Sequence, residues 1–139
     1  AQNAAGEITR PFAPQSERQG PVAGRHLAVV REGMRQGVEW GTAWQAQLPG
    51  IAVAGKTGTA EFGAIDLRTG ERPSHGWFVA FAPFDDPEIA LVVFQERGSG
   101  SSTAAPVARK ILRAYFEKQG RISPLTPSEP AAPLRPGPE

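Results

Sequence analysis

The sequence predicts an α/β chain of the α+β type, an antiparallel sheet flanked by helices. Three observations lead there. Apolar residues recur at helical spacing on either side of the middle region, at Leu27, Val30, Met34 and Val38 and again at Val107, Ile111, Leu112, Tyr115 and Phe116. Between them lie the near-continuous apolar runs Trp77–Ala82 and Ile89–Phe94, which read as strands covered on both faces. The links between strand candidates are hairpin-length, too short for the crossover that parallel neighbours need.

In chain order, residues 1–23 are polar and proline-punctuated, with one short alternating piece around Ile8 to Phe12 that suggests an extended segment and a loop. The first apolar stripe predicts a helix from about Arg25 to Gly37. A polar, tryptophan-bearing stretch, EWGTAWQAQLPG, then ends in the turn signal Pro49-Gly50. The segment IAVAGKTGTAEF is the first strand candidate, and GAIDLRTGERPSH is the loop after it. GWFVAFAP and EIALVVFQE follow as strands joined by FDDP, a turn in which Asp85-Asp86 precede Pro87. A glycine-serine loop, RGSGSST, leads into a final helix from about Ala104 to Lys118. Beyond it, ISPLTPSEPAAPLRPGPE holds too many prolines for a helix or a central strand and is expected to form an extended, disordered tail.

Composition excludes several classes of function. The chain has 139 residues, the size of one domain or part of one. Its 15 Lys and Arg against 14 Asp and Glu leave a net charge of +1, without the basic excess of a nucleic-acid binder. The absence of cysteine removes disulfides, thiolate metal sites and thiol nucleophiles together. No cluster with metal-ligand spacing stands out, and no cofactor is expected. No apolar run approaches the ~20 residues that span a bilayer. The first residue is Ala1, and the chain reads as the C-terminal part of something longer.

The stretch Gly50–Thr59, GIAVAGKTGT, satisfies two signatures that predict unrelated chemistry. Its first eight residues fit G-x-x-x-x-G-K-[ST], the loop that cradles phosphates. Lys56-Thr57-Gly58 fits the K-T-G of penicillin-binding proteins. A phosphate loop needs a strand before its first glycine and a helix opening at its lysine, because the helix N-terminus supplies free N–H groups and a favourable dipole. Here the context is inverted. Polar WQAQLP precedes Gly50, the variable positions Ile51–Ala54 are strand-like, and the threonines and glycines after Lys56 make a poor helix. The K-T-G reading needs a strand through the motif, with Lys56 and Gly58 on one face and Thr57 and Thr59 on the other. Glycine at 58 leaves space beside the lysine, and Gly55 and Gly58 would let backbone and ligand approach closely. The four letters alone fit equally well with surface residues of an amphipathic strand.

More of the chain bears on that choice. Ala5-Gly6, Arg10-Pro11, Gly41-Thr42-Ala43, Ala54-Gly55-Lys56-Thr57-Gly58-Thr59-Ala60, His75-Gly76-Trp77-Phe78-Val79-Ala80-Phe81-Ala82-Pro83, Pro87-Glu88-Ile89-Ala90 and Ala104-Ala105-Pro106-Val107-Ala108 follow one another over roughly residues 5–117. In that order and spacing the chain resembles the C-terminal part of the transpeptidase domain of class B penicillin-binding proteins, most like the elongation type, penicillin-binding protein 2. The resemblance implies a fragment of a serine β-lactamase-like fold in residues 1–119, with the tail in 120–139.

It also implies a function: peptidoglycan D,D-transpeptidation, in which a serine of an S-x-x-K motif is acylated by a D-Ala-D-Ala stem peptide and an amine captures the acyl group. β-Lactams imitate the donor. By this resemblance Lys56 is the cation of the third motif, and Thr57, Gly58 and Thr59 bind the substrate, with the threonine hydroxyls on its carboxylate. The Thr59 N–H would be an oxyanion-hole donor. The partners implied are the stem peptide and β-lactams, the N-terminal part of the same protein and cell-wall elongation proteins, at the outer face of the bacterial cell membrane. The departures are specific. None of the serines has a lysine three residues on, and no S-x-N occurs. In the family both motifs precede K-T-G, so this chain by itself is expected to be inactive. A non-catalytic scaffold or binding module of the cell-wall machinery is the alternative. His75 and His26 read as packing or hydrogen-bonding residues, and Trp40, Trp44 and Trp77 as core or cleft-rim aromatics.

Overall fold

The structure, a computed structural model, describes Gly20 and residues 22–124. The extended piece expected around Ile8 to Phe12 and the proline-rich residues 125–139 lie outside the described residues. Helix α1 spans Gly24–Glu39 and is followed by a short 3-10 turn at Trp44–Ala46. Strands β1 (Ala54–Glu61), β2 (Ser74–Ala82) and β3 (Ile89–Gln95) come next. One π-type turn, Gly100–Ala104, runs into helix α2, Ala105–Lys118. Pro106 sits in the first turn of α2, where its missing N–H costs the helix no hydrogen bond. The two helices and three strands predicted within the described residues are present, with boundaries that differ by a few residues.

The three strands form one antiparallel sheet in the order β1-β2-β3. Its two faces differ. Phe78, Ala80 and Ala82 of β2 point to the inner face and are 0–4% exposed, joined there by Val93 of β3. Helix α2 packs against β2, β3 and the 3-10 turn, and Leu112 and Phe116 complete the core with Val38, Leu48, Ile51 and Val53. The outer face carries Trp77, Val79, Val92 and Phe94, which stay 38–63% exposed. The expectation of strands covered on both faces is therefore corrected. The sequence run is apolar on both faces, and among the described residues α2 covers the inner face while α1 reaches the outer face at its Ala54–Phe81 end, leaving Trp77, Val79, Val92 and Phe94 exposed.

The helix stripes need the same correction. In α1 only Val38 is buried, while Leu27 and Val30 are more than half exposed. Further along, the Arg31 guanidinium lies 5.2 and 5.4 Å from the Phe81 and Phe84 ring centres and donates to the Phe84 carbonyl at 2.6 Å. Arg35 bridges Glu32 and Glu39, each one helical turn from it, and its hydrogen bonds hold the Glu32 carboxyl down at about 2. This triad is open to solvent and stabilises α1 only slightly.

In α2 the buried positions are Ala105, Ala108, Leu112 and Phe116, a strict one-turn repeat. Val107 and Tyr115 pack at its edge, and Ile111 is 45% exposed rather than part of the stripe. Leu112→Ala should therefore cost about 2–5 kcal/mol, and Ile111→Ala about 0.5 kcal/mol. Urea denaturation midpoints of the two variants check this. Equal losses would place the helix in a different rotation.

Candidate active site

The motif Lys56-Thr57-Gly58-Thr59 lies in the middle of β1, and no helix begins at Lys56. The phosphate-loop alternative is thereby excluded, since its lysine must stand at a helix N-terminus. Among the described residues, strand β1 is an edge of the three-stranded sheet and is paired only with β2. Register places Lys56 opposite Val79 and Gly58 opposite Trp77 on the outer face. Thr57 is opposite Phe78, and Thr59 opposite Gly76, on the inner face. The alternation expected from the sequence is what the strand shows, and it sets an ammonium group on one side of the edge and two hydroxyls on the other.

Each of these side chains has a defined polar contact. The Lys56 Nζ is exposed and donates to the Thr57 carbonyl at 2.7 Å. The Thr57 hydroxyl is 3.0 Å from the Thr42 hydroxyl, which stands in the turn after α1. The Thr59 Oγ1 accepts from the Gly100 N–H at 3.2 Å. That last contact joins residues 41 positions apart in the chain. It depends on an unusually close approach. A Cβ placed on Gly100 would meet the carbonyl oxygens of Gly58 and Trp77 at 2.6 Å and the Gly58 nitrogen at 2.7 Å. Only glycine allows the loop to lie flat on the motif strand.

The same loop is anchored at both ends. Ser74 Oγ donates to the Gly98 carbonyl at 2.8 Å, and the Gly98 N–H donates to the Ser74 carbonyl at 2.9 Å. Ser99 Oγ accepts from the Ser102 N–H at 3.0 Å and opens the π-type turn. The sequence marked RGSGSST only as a loop. Its place beside the motif is a tertiary fact, for which the glycine-serine composition was the sole signal.

Gly55 has a different role from the one its position suggested. A Cβ there would fall 2.3 Å from the Phe78 ring. The ring, wholly buried, lies beneath the glycine. Gly55 thus serves core packing rather than ligand approach. At Gly58 a Cβ would stand 3.3 Å from Trp77 Cβ, a tighter contact than most Cβ atoms make.

The histidine and tryptophan expectations divide. His75 stacks on Phe62 with ring centres 4.0 Å apart, and its Nδ1 is 2.5 Å from the Glu96 carbonyl oxygen, so it is a packing and hydrogen-bonding residue. Trp77 packs on Phe94 at 4.5 Å and remains exposed on the outer face, beside Gly58. Trp40 and Trp44 are also exposed, so none of the three is a core residue. Among the described residues, no helix is long and apolar enough to cross a membrane.

An exposed lysine and two hydroxyls with defined partners thus stand together on β1, Lys56 on one face and Thr57 and Thr59 on the other. Residues 4–113 match the family profile described as the penicillin-binding protein transpeptidase domain, and the chain belongs to that family. It is similar to the peptidoglycan D,D-transpeptidase PbpA of Mycolicibacterium smegmatis, at 33% identity over 76% of this chain and 22% of that protein. It is similar to the peptidoglycan D,D-transpeptidase MrdA of Acinetobacter baumannii, at 35% identity over 71% of this chain and 16% of that protein. Among solved structures it resembles penicillin-binding protein A from M. tuberculosis in an imipenem acyl-enzyme complex. There the TM-score is 0.63 at 31% identity, covering 83% of this chain and 24% of that one. The chain therefore spans less than a quarter of the length of these relatives.

Proposed function

We propose that this chain forms the K-T-G wall of a peptidoglycan D,D-transpeptidase, with Lys56, Thr57, Gly58 and Thr59 as its site residues. The observation that carries this is the motif's placement on an edge strand in a chain of the transpeptidase family, with the ammonium and the paired hydroxyls on opposite sides. The reaction has two steps. A serine Oγ attacks the carbonyl of the penultimate D-alanine, its proton passes to a base, and the terminal D-alanine leaves as the amine. The amino group of a second stem peptide then attacks the ester and releases the serine.

In this scheme Lys56 attracts the anionic donor and supports proton transfer beside the nucleophile. The Thr57 and Thr59 hydroxyls donate to the donor's terminal carboxylate. The Thr59 N–H holds the developing oxyanion, a contact worth about 2.7–4 kcal/mol in such sites. The edge of β1, unpaired among the described residues, suits a donor peptide that lies along it as an added strand.

The nucleophile comes from another part of the same protein, since these 139 residues hold no S-x-x-K or S-x-N. The apolar outer face with Trp77, Val79, Val92 and Phe94 supports a further part of the domain packed there, as such patches mark contact surfaces. The reading includes the outer surface of the cell membrane as location and cell-wall elongation proteins as partners. It is tested by treating the full-length protein with a fluorescent penicillin and mapping the adduct by mass spectrometry. A penicilloyl group on a serine of an S-x-x-K outside residues 1–139 is the expected result. No adduct, with an intact fold, would leave the non-catalytic module.

A further inference from the structure

We infer that Thr42 is a positioning residue, whose hydroxyl donates to Thr57 and so turns the Thr57 proton toward the ligand's carboxylate. This rests on the reading of Thr57 and Thr59 as carboxylate-binding groups. The two motif hydroxyls can hold an anion only by donating, and each has one proton to give. At Thr59 the direction is settled by its partner. A backbone N–H can only donate, so the Thr59 oxygen accepts from Gly100 and its proton stays available.

At Thr57 the partner is another hydroxyl, at 3.0 Å, and either oxygen can be the donor. Thr57 can serve an anion only in the arrangement where Thr42 donates to it. An approaching carboxylate selects that arrangement, because it accepts and cannot donate. Thr42 then does at Thr57 what the Gly100 amide does at Thr59. The wall has two hydroxyls, each backed by a donor from a different segment.

The backbone holds Thr42 where this requires. The Ala43 N–H donates to the Gly37 carbonyl at 3.0 Å and the Trp44 N–H to the Gly41 carbonyl at 3.2 Å, closing the turn on both sides of Thr42. Ala43 is buried at 1% exposure and pins the turn to the core. A Cβ on Gly41 would meet Gly37 atoms at 2.9 Å, and one on Gly37 would stand 3.3 Å from the Gly55 carbonyl oxygen. The end of α1 therefore lies against β1 with no side chain between, one step before the motif. Thr42 itself is exposed, so its hydroxyl is placed by the backbone and not by burial.

The test compares Thr42→Val, which keeps the shape and removes the hydroxyl, with Thr42→Ser, which keeps the hydroxyl. Acylation of the full-length protein is followed with a penicillin and with its methyl ester, which lacks the carboxylate charge. Thr42→Val should slow acylation by the free acid about 5- to 10-fold and leave the ester rate within about 2-fold. Thr42→Ser should restore the acid rate, and the melting temperature of both variants should match the parent. Three results would overturn the inference: an unchanged acid rate in Thr42→Val, an equal loss for acid and ester, or no recovery in Thr42→Ser. A parent protein that reacts with neither compound would instead remove the transpeptidase reading, and this inference with it.

Discussion

Lys56→Ala in the full-length protein is expected to slow penicillin acylation by about 10²- to 10³-fold, the usual loss when one donor aimed at developing charge is removed from an acyl-transfer site. Folding should be untouched. Lys56 is exposed, and among the described residues its polar contact is to the carbonyl of the neighbouring residue, Thr57. Surface changes of this kind stay within about 0.5 kcal/mol. Lys56→Arg should not restore the rate, because the planar guanidinium is larger and spreads its charge over a fork, whereas an ammonium is a compact point charge. Stopped-flow acylation together with thermal melting separates the two quantities. A melting temperature that falls with the rate would mean that Lys56 holds the strand in place. An unchanged rate would remove it from the site.

Gly100→Ala is expected to damage stability and site together. The added methyl carbon would meet three backbone atoms of Gly58 and Trp77 within 2.7 Å, and backbone of a paired strand cannot turn aside as a side chain can. Either the loop lifts or the sheet bends. Overpacking of this kind costs about 1–3 kcal/mol, and the rigid neighbours put this case at the upper end. Lifting the loop also withdraws the Gly100 N–H from Thr59, so penicillin acylation should fall in the full-length protein as well.

Gly33→Ala makes the control. Its added methyl meets nothing within 4 Å on the exposed face of α1, so the chain should gain about 0.5–1 kcal/mol of helix propensity. Chemical denaturation of both variants decides. A Gly100→Ala protein as stable as the parent would show that the loop is not seated on β1.

Both predictions turn on features that the sequence reveals unequally. Lys56 was readable as a strand residue because its neighbours carry local signals. A Pro-Gly turn precedes the segment, β-tolerant residues lead into it, and the threonines and glycines behind it oppose a helix. Those signals act within a few residues, so they hold without knowledge of the fold. The period-2 rule then separated Lys56 and Gly58 from Thr57 and Thr59, as the register shows. Gly100 carried no such signal. Nothing in RGSGSST distinguishes a solvated loop from one laid across a strand 41 residues earlier.

Burial was legible only in part, for a related reason. Periodicity identifies which side chains share a face but does not say whether anything covers that face. The stripe of α1 and the outer-face residues of β2 and β3 have the periodicity of core, yet most of them remain exposed among the described residues. In α2 the true stripe is set by Ala105 and Ala108, small residues that a search for large apolar groups passes over. Gly55 misled in the opposite direction. A glycine beside a reactive lysine suggests room for a ligand, whereas here the room is filled by Phe78.

By itself, then, the sequence determined the helix, three strands and helix of this chain and the strand character of its K-T-G motif, which already disfavoured a phosphate loop. These follow from propensity, turn chemistry and side-chain alternation, which operate over a few residues. Only the tertiary structure decided that Gly100 would lie on Gly58, that Thr42 would face Thr57 and that one face of the sheet would be core. Those pairings join segments 15 to 42 residues apart. Chain closure and shape complementarity select them, and neither leaves a local trace in the order of the residues.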